Sequence, residues 1–397
     1  MDKFALYYQV PYVKEFEAEV TSCVSSGREK GKYLVELSKH GFYPEGGGQP
    51  ADHGTIGDAV VLDVKEAKAQ DGSETILHVV NQELPVGAVL PCKIDWERRM
   101  RYTRDHSGEH IVSGLVHKYF GYNNVGFHMS DVMTIDFDGI LTVEELRKIE
   151  DEANAIVLEN RAVKVLWPSE EEREHIDYRS KKPLSGDVRL VDLGGADLCA
   201  CCGTHVMTTG EIGPIKLLSV LGHKGGVRIE LFCGLDALKD YQRKHTELME
   251  LSRTLSVAPE EVPKALSEVL AESHQKDYRI SQLNERYFAM KAAEIPENQE
   301  LIVDVEEDLN SVELRKCCDY FMKHTSAKIV AVLGQKSGGE KGKDFSYVIG
   351  SLTFDVRAGA KAFNALVSGR GGGQKEMIQG NLSATPEAVY QALQGVF

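Results

Sequence analysis

The stretch "RDHSGEHIVSG" (residues 104–114) places two histidines four positions apart, and "CACCGTH" (residues 199–205) places a cysteine and a histidine at the same interval. Asp105 suits a helix N-cap, so the first stretch reads as the opening of a helix. Residues four apart on a helix share a face, which aims His106 and His110 at one point. His117 lies near the same stripe. At 1.5 Å per residue, however, it stands about 10 Å beyond His110, too far to share an ion with it. In the second stretch Cys201 and His205 bring a thiolate and an imidazole together within one short loop. The two pairs make a four-donor set suited to Zn2+. Spacing alone leaves Cys199, six residues from His205, and Cys202, three residues from it, as alternative sulfur ligands. Either half by itself is an ordinary pair of side chains. Their co-occurrence carries the reading.

Around this pair lies a chain of 397 residues, 42% hydrophobic and 27% charged, which is the composition of a globular protein. At roughly 100–200 residues per domain it holds more than one core. Nothing approaches the run of about 20 apolar residues that spans a bilayer. The start, "MDKFALYYQV", has an early acid and no apolar segment of the secretory kind. The expected location is therefore cytoplasmic, with the eight cysteines as thiols. The net charge of −15 argues against wholesale nucleic-acid binding. One local exception is "WERRMRYTRDH", where Arg98, Arg99, Arg101 and Arg104 directly precede His106.

The chain divides by pattern into four segments, with an α+β fold overall. Residues 1–92 are β-rich: "GTIGDAVVLDVKEA" and "ETILHVVNQ" carry β-branched runs between turn residues, and a small N-terminal β-barrel or meander is expected. The glycine-rich "FYPEGGGQPADHG" (42–54) interrupts it. Residues 93–236 mix helix and strand. "TVEELRKIEDEANAIVLEN" has Thr142 as cap and Glu145 three positions on, and "VMTIDFDG", "AVKVLWP", "DVRLVDLG", "GPIKLLSV" and "GVRIELFCG" read as strands. This predicts an α+β domain containing the zinc. Residues 237–296 form a helical hairpin or coiled-coil arm, broken at Pro259 and Pro263. Its heptad seam runs through Leu266, Val269, Ile280, Leu283, Tyr287 and Met290. Residues 297–397 make a C-terminal α/β domain with a glycine-rich "SGRGGGQK" and a last helix opened by Thr385 and Pro386.

The H-x3-H pair, the downstream "CCGTH" and the following "TTGEIGPIKL" resemble the editing domain shared by alanyl-tRNA synthetases and the free-standing AlaX trans-editing proteins. In that family the second half reads Cys-Gly-Gly-Thr-His, so Cys201 matches the ligand and Cys202 replaces a glycine. The resemblance extends over the whole chain. "FYPEGGGQPADHG" is similar to the barrel segment of the longer members, and the arm and "SGRGGGQ" are similar to the synthetases' coiled coil and C-terminal DHH-associated domain. It implies a free-standing hydrolase with a zinc held by His106, His110, Cys201 and His205. We read His106, His110 and Cys201 as the firm ligands and His205 as the fourth or exchangeable one, in an incompletely closed site. The implied reaction is removal of the wrong amino acid from tRNA(Ala), chiefly serine with glycine as a second candidate, with Ala-tRNA(Ala) spared. A binding pocket discriminates poorly between such small side chains, and a second hydrolytic site solves that.

The resemblance further implies pocket roles for Gln49 and Asp52, while His128, Thr134 and Thr204 are candidate polar groups of the same pocket and Thr209 a neighbouring hydroxyl. Arg98, Arg99, Arg101 and Arg104, with Arg370 and Lys375 in the C-terminal loop, are the candidate tRNA contacts. A homodimer through the coiled coil or the C-terminal domain is a further expectation. Two rival readings remain. In a metalloprotease H-E-x-x-H motif the glutamate follows the first histidine at once, whereas Ser107 stands there and Glu109 is displaced by two. The second rival is a non-catalytic, zinc-stabilised tRNA-binding or assembly module.

Overall fold

A computed structural model describes residues 5–27, 30–68, 74–180, 184, 186–336 and 338–397; the first four residues of the acidic start lie outside them. The chain packs as two compact units, Met1–Met249 and Glu250–Phe397.

The first unit opens with a short helix α1 (Leu6–Gln9) and a closed barrel. Its strands are β1 (Glu15–Ser25), β2 (Tyr33–Leu37), β3 (Gly54–Ile56), β4 (Ala59–Lys68), β5 (Glu74–Val80) and β6 (Val89–Ile94), ordered β1-β2-β5-β4-β3-β6 around the ring. Alternation turns Val20, Val35, Val61 and Val80 inward, and a register shift between Val61 and Asp63 brings Val64 to the same side; all five are fully buried. The glycine-rich segment links β2 to β3. There Asp52 accepts a hydrogen bond from the Tyr43 backbone N–H at 2.6 Å and pairs with the Arg99 guanidinium, both side chains being buried. This ion pair ties the barrel to helix α2 (Trp96–Phe120).

That helix begins nine residues before Asp105, the expected cap. Asp95 caps it, accepting from the Arg98 N–H at 3.1 Å, because the intervening arginines are good helix formers and nothing between them breaks the turn. Behind α2 stands an antiparallel sheet ordered β12-β13-β8-β7, from β7 (Asn124–His128), β8 (Met133–Phe137), β12 (Ile215–His223) and β13 (Gly226–Cys233). Helix α3 (Val143–Leu158) packs on it and carries the expected capping box of Thr142 and Glu145. A smaller sheet, β11-β10-β9, joins β9 (Val163–Leu166), β10 (Leu190–Leu193) and β11 (Leu198–Ala200), with the short helix α4 (Glu170–Arg173) between β9 and β10. Strand β11 delivers residues 201–205 to the middle of α2. Helix α5 (Leu235–Leu255) follows.

In the second unit α6 (Val262–Glu294) leads into a five-stranded sheet ordered β14-β15-β16-β18-β17: β14 (Leu301–Glu306), β15 (Ile329–Gln335), β16 (Asp344–Gly350), β17 (Arg370–Gly373) and β18 (Met377–Ser383). Helix α7 (Ser311–His324) and Phe288 of α6 cover one face. Helices α8 (Val356–Leu366) and α9 (Pro386–Val396) cover the other, as a layered α/β domain requires. The seam residues of α6 named above are exposed.

Candidate metal centre

Two elements build the centre. Helix α2 stacks His106 over His110, their ring centroids 5.3 Å apart, and the loop after β11 brings Cys201 and His205 against them. The Cys201 sulfur lies 3.3 Å from Nε2 of His106 and 3.3 Å from Nε2 of His205. The four donor atoms lie within 4.8 Å of one another. A tetrahedron with the usual Zn–S and Zn–N lengths has an S···N edge of about 3.6 Å. The donor set is thus compatible with zinc in chemistry and in spacing.

Each imidazole is held from behind at Nδ1, which turns Nε2 inward. His106 donates to Gln49 Oε1 at 3.0 Å, His110 donates to Asp197 Oδ2 at 3.0 Å, and His205 donates to Ser107 Oγ at 3.1 Å. Ser107 is an acceptor here because its own proton goes to the Thr103 carbonyl. Asp197 is in turn gripped by Arg179 through two hydrogen bonds of 2.7 and 2.8 Å. Partners of this kind fix the tautomer and direction of a ligating histidine. Burial alone would raise the Cys201 thiol, but His106, His110 and His205 outweigh it and hold the thiol well below its usual range. Burial likewise opposes a proton on His110, yet the Cys201 sulfur and Asp197 pull its pKa well above the ordinary value. His205 has no such carboxylate, and burial pushes it down to about 3. A thiolate ligand and a neutral His205 are the forms a metal needs, and binding would displace the His110 proton.

The loop itself is pinned. The Arg189 guanidinium donates to the Cys201 and Gly203 carbonyls, each at 2.9 Å, and lies against the Tyr8 ring. Gly203 has no side chain because none fits: a Cβ there would stand 2.0 Å from Cε1 of His106.

Gln49 and Thr204 sit behind the donors. Gln49 Nε2 donates to Thr204 Oγ1 at 2.9 Å, the Thr204 N–H donates to Gln49 Oε1 at 3.0 Å, and Thr103 Oγ1 is 2.7 Å from the Thr204 hydroxyl. Their position suits orienting His106 rather than touching a substrate. Asp52 is committed to Arg99, so Arg99, expected on a tRNA-facing surface, is turned inward. His128 is exposed on β7 and registers with Thr134 of β8, both on the face away from the core. Strand alternation instead points Phe127 at the centre, 5.4 Å from the His106 ring. Thr209 donates to the Ile156 carbonyl and is structural. Cys202 is exposed and Cys199 is buried close to His110 and Asp197, behind the donors. Arg98, Arg101 and Arg104 line a groove of about 390 Å³ with Trp96, Asp236 and Lys239. Arg370 and Lys375 are exposed. Sequence reasoning missed Ser107, Asp197, Arg179 and Arg189. Ser107 and Asp197, within two residues of candidate ligands, were the legible ones.

Residues 188–230 match the threonyl and alanyl tRNA synthetase second additional domain, and residues 298–396 match the DHHA1 domain. The alanine–tRNA ligase of Pyrococcus furiosus is 31% identical over 96% of this chain and 42% of its own length. That of Ignicoccus hospitalis is 34% identical over 72% of this chain and 32% of its own. The chain thus spans less than half the length of these curated relatives. A solved C-Ala domain from Aquifex aeolicus alanyl-tRNA synthetase aligns at 25% identity over 25% of this chain and 91% of that one, with a TM-score of 0.21. The two domain matches and the synthetase relatives identify the chain as an AlaX-like relative of the editing and C-terminal regions of alanyl-tRNA synthetases.

Proposed function

We propose that this protein is a cytoplasmic aminoacyl-tRNA deacylase that clears mischarged tRNA(Ala) in trans, chiefly Ser-tRNA(Ala) and also Gly-tRNA(Ala), and spares Ala-tRNA(Ala). The observation that carries this is the convergence of His106, His110, Cys201 and His205 from segments about 95 residues apart, in a chain related to alanyl-tRNA synthetases. These four residues would hold zinc, which when bound supplies a positive centre for the aminoacyl end of the substrate. Gln49, Asp197 and Ser107 keep the three imidazoles in the tautomer that leaves Nε2 available. Phe127, with Gly48 of the barrel segment behind it, stands against the His106 ring on one side of the centre. The groove lined by Arg101 and Arg104, within about one and a half turns of His106 on α2, and by Lys239 of α5 suits the phosphates of an acceptor stem, and Arg370 and Lys375 offer a second contact. The exposed seam of α6 supports pairing with a second copy.

Incubating the purified protein with Ser-tRNA(Ala) and with Ala-tRNA(Ala), and counting the surviving ester, tests the reading. Loss of the seryl ester alone is expected. Equal hydrolysis of both, or of neither, ends it. His110→Ala separates the enzyme from a zinc-stabilised binding module. An enzyme loses deacylation while staying folded and binding tRNA, whereas a structural metal takes the fold down with it.

A further inference from the structure

Glu109 is buried in α2 beside His110 and has no part in holding any ligand. One of its oxygens, Oε1, accepts from the Ser113 hydroxyl at 2.6 Å and from the Asn124 amide. The other, Oε2, lies 3.8 Å from Nε2 of His110, the nitrogen aimed at the metal locus, and carries no hydrogen bond among the described residues. The carboxylate is therefore clamped by one oxygen with the other held at the edge of the donor set. Asp197, the other buried acid touching the centre, differs in this respect. Its oxygens are taken up by Arg179 and His110.

Charge gives this placement a use. A divalent ion, one thiolate and three neutral imidazoles leave a net positive centre. An aminoacyl ester approaches it with an α-amino group whose protonated form, an ammonium, is substantially populated near neutral pH. Bringing that cation beside a positive centre is unfavourable unless an anion meets it, and a buried anion is itself costly unless paired. We propose that Glu109 Oε2 accepts a hydrogen bond from the α-ammonium of the bound aminoacyl ester, fixing the amino-acid end against the centre and selecting esters with an unblocked amine. Serine and alanine esters share that amine, so Glu109 sets the class of substrate and leaves the hydroxyl discrimination to other groups. The assignment rests on the deacylase reading above.

The test uses the zinc-loaded full chain and two readouts. The first is binding, by calorimetry, of a hydrolysis-resistant 3′-seryl-amide of adenosine and of its N-acetyl derivative. The second is kcat/KM on Ser-tRNA(Ala) and on N-acetyl-Ser-tRNA(Ala). The wild type should prefer the unblocked amine in both by about tenfold to a hundredfold, the range of a charge-assisted hydrogen bond. In Glu109→Gln, nearly the same size but uncharged, the preference should fall to within about threefold of unity at unchanged zinc content. Glu109→Asp should recover part of it. Should Glu109→Gln not fold, Asn124→Ala, which removes a donor that aims the carboxylate, should still reduce the ratio. A purely structural Glu109 would alter zinc content or stability and leave the amine preference intact, which overturns the proposal. So does a wild type indifferent to acetylation. A wild type that hydrolyses neither ester and binds neither amide instead overturns the deacylase reading, and the role of Glu109 with it.

Discussion

Replacing Gly203 by alanine should dismantle the metal centre through one neighbour, His106. The added Cβ would lie 2.0 Å from Cε1, 2.1 Å from Nδ1 and 3.0 Å from Nε2 of that ring, where ordinary contact begins at 3.4 Å. The loop has little room to retreat, because Arg189 grips the carbonyls on both sides of the insertion at 2.9 Å. The ring must therefore move by about 1.4 Å or turn. Either response breaks the 3.0 Å bond to Gln49 and carries Nε2 off a metal bond whose usual length is about 2.0–2.1 Å. Changing a supporting partner of a ligand typically costs 10–100-fold in metal affinity, and here a ligand itself is displaced. The expected weakening is at least a hundredfold, about 2.7 kcal/mol or more. Zinc competition against a chromophoric chelator measures it on the purified chain. The control is the same change in a His106→Ala background, where the obstructed ring is absent and Gly203→Ala should add less than threefold. Zinc affinity within threefold of wild type for the single variant would refute the argument. A full-sized loss in the His106→Ala background would refute it equally, since the effect would then not pass through the ring.

Two further outcomes follow from buried charge. Asp52→Asn leaves Arg99 without its counter-ion in a site sealed from water, and should cost about 3–5 kcal/mol in chemical denaturation. Asp52→Leu combined with Arg99→Met should restore part of that loss, and a double variant less stable than Asp52→Asn would count against the pairing. In the second unit, burial raises the Asp304 carboxyl from 3.8 to about 6, with Lys291 opposing. A folded pKa above the unfolded one means that the folded state holds the proton more tightly. Its contribution is therefore greatest below pH 4 and declines as pH rises from about 4 to about 6. Asp304→Asn should remove that decline, so the stability difference between variant and wild type should grow across this window and level off above it. A difference that stays flat from pH 4 to 7 sinks the assignment.

The elements with local signatures were legible in the sequence. The capping box of α3, the Thr385–Pro386 opening of α9 and the β-branched runs of the barrel each need only a few adjacent residues to declare themselves. The His106–His110 pair was legible because a four-residue interval has one geometric meaning on a helix, whereas Cys201 and His205 come to it from a loop. What failed to show was anything decided across the fold. Asp105 looks like a cap, yet helix propensity through the arginines carries α2 back to Asp95. His128 looks more useful than Phe127, but the pleat of β7 lets only one of two neighbours face the centre, and which one depends on register with β8. Arg99 reads as surface charge until Asp52, 47 residues earlier, is seen to meet it. Spacing alone did not separate Cys201 from Cys202; the family resemblance pointed to Cys201, and its sulfur is the one the loop turns toward His106.

The barrel's gift of Gln49 to His106 has a consequence for how this molecule comes into being. Synthesis delivers the Gln49 hairpin first, the two-imidazole half of the centre next, and the thiolate only after some ninety further residues. A growing chain thus offers an ion an incomplete and weak grip until the loop at 201–205 has emerged and folded back onto α2. Were these four residues to take up zinc, its capture would report that three remote stretches of the chain had found one another.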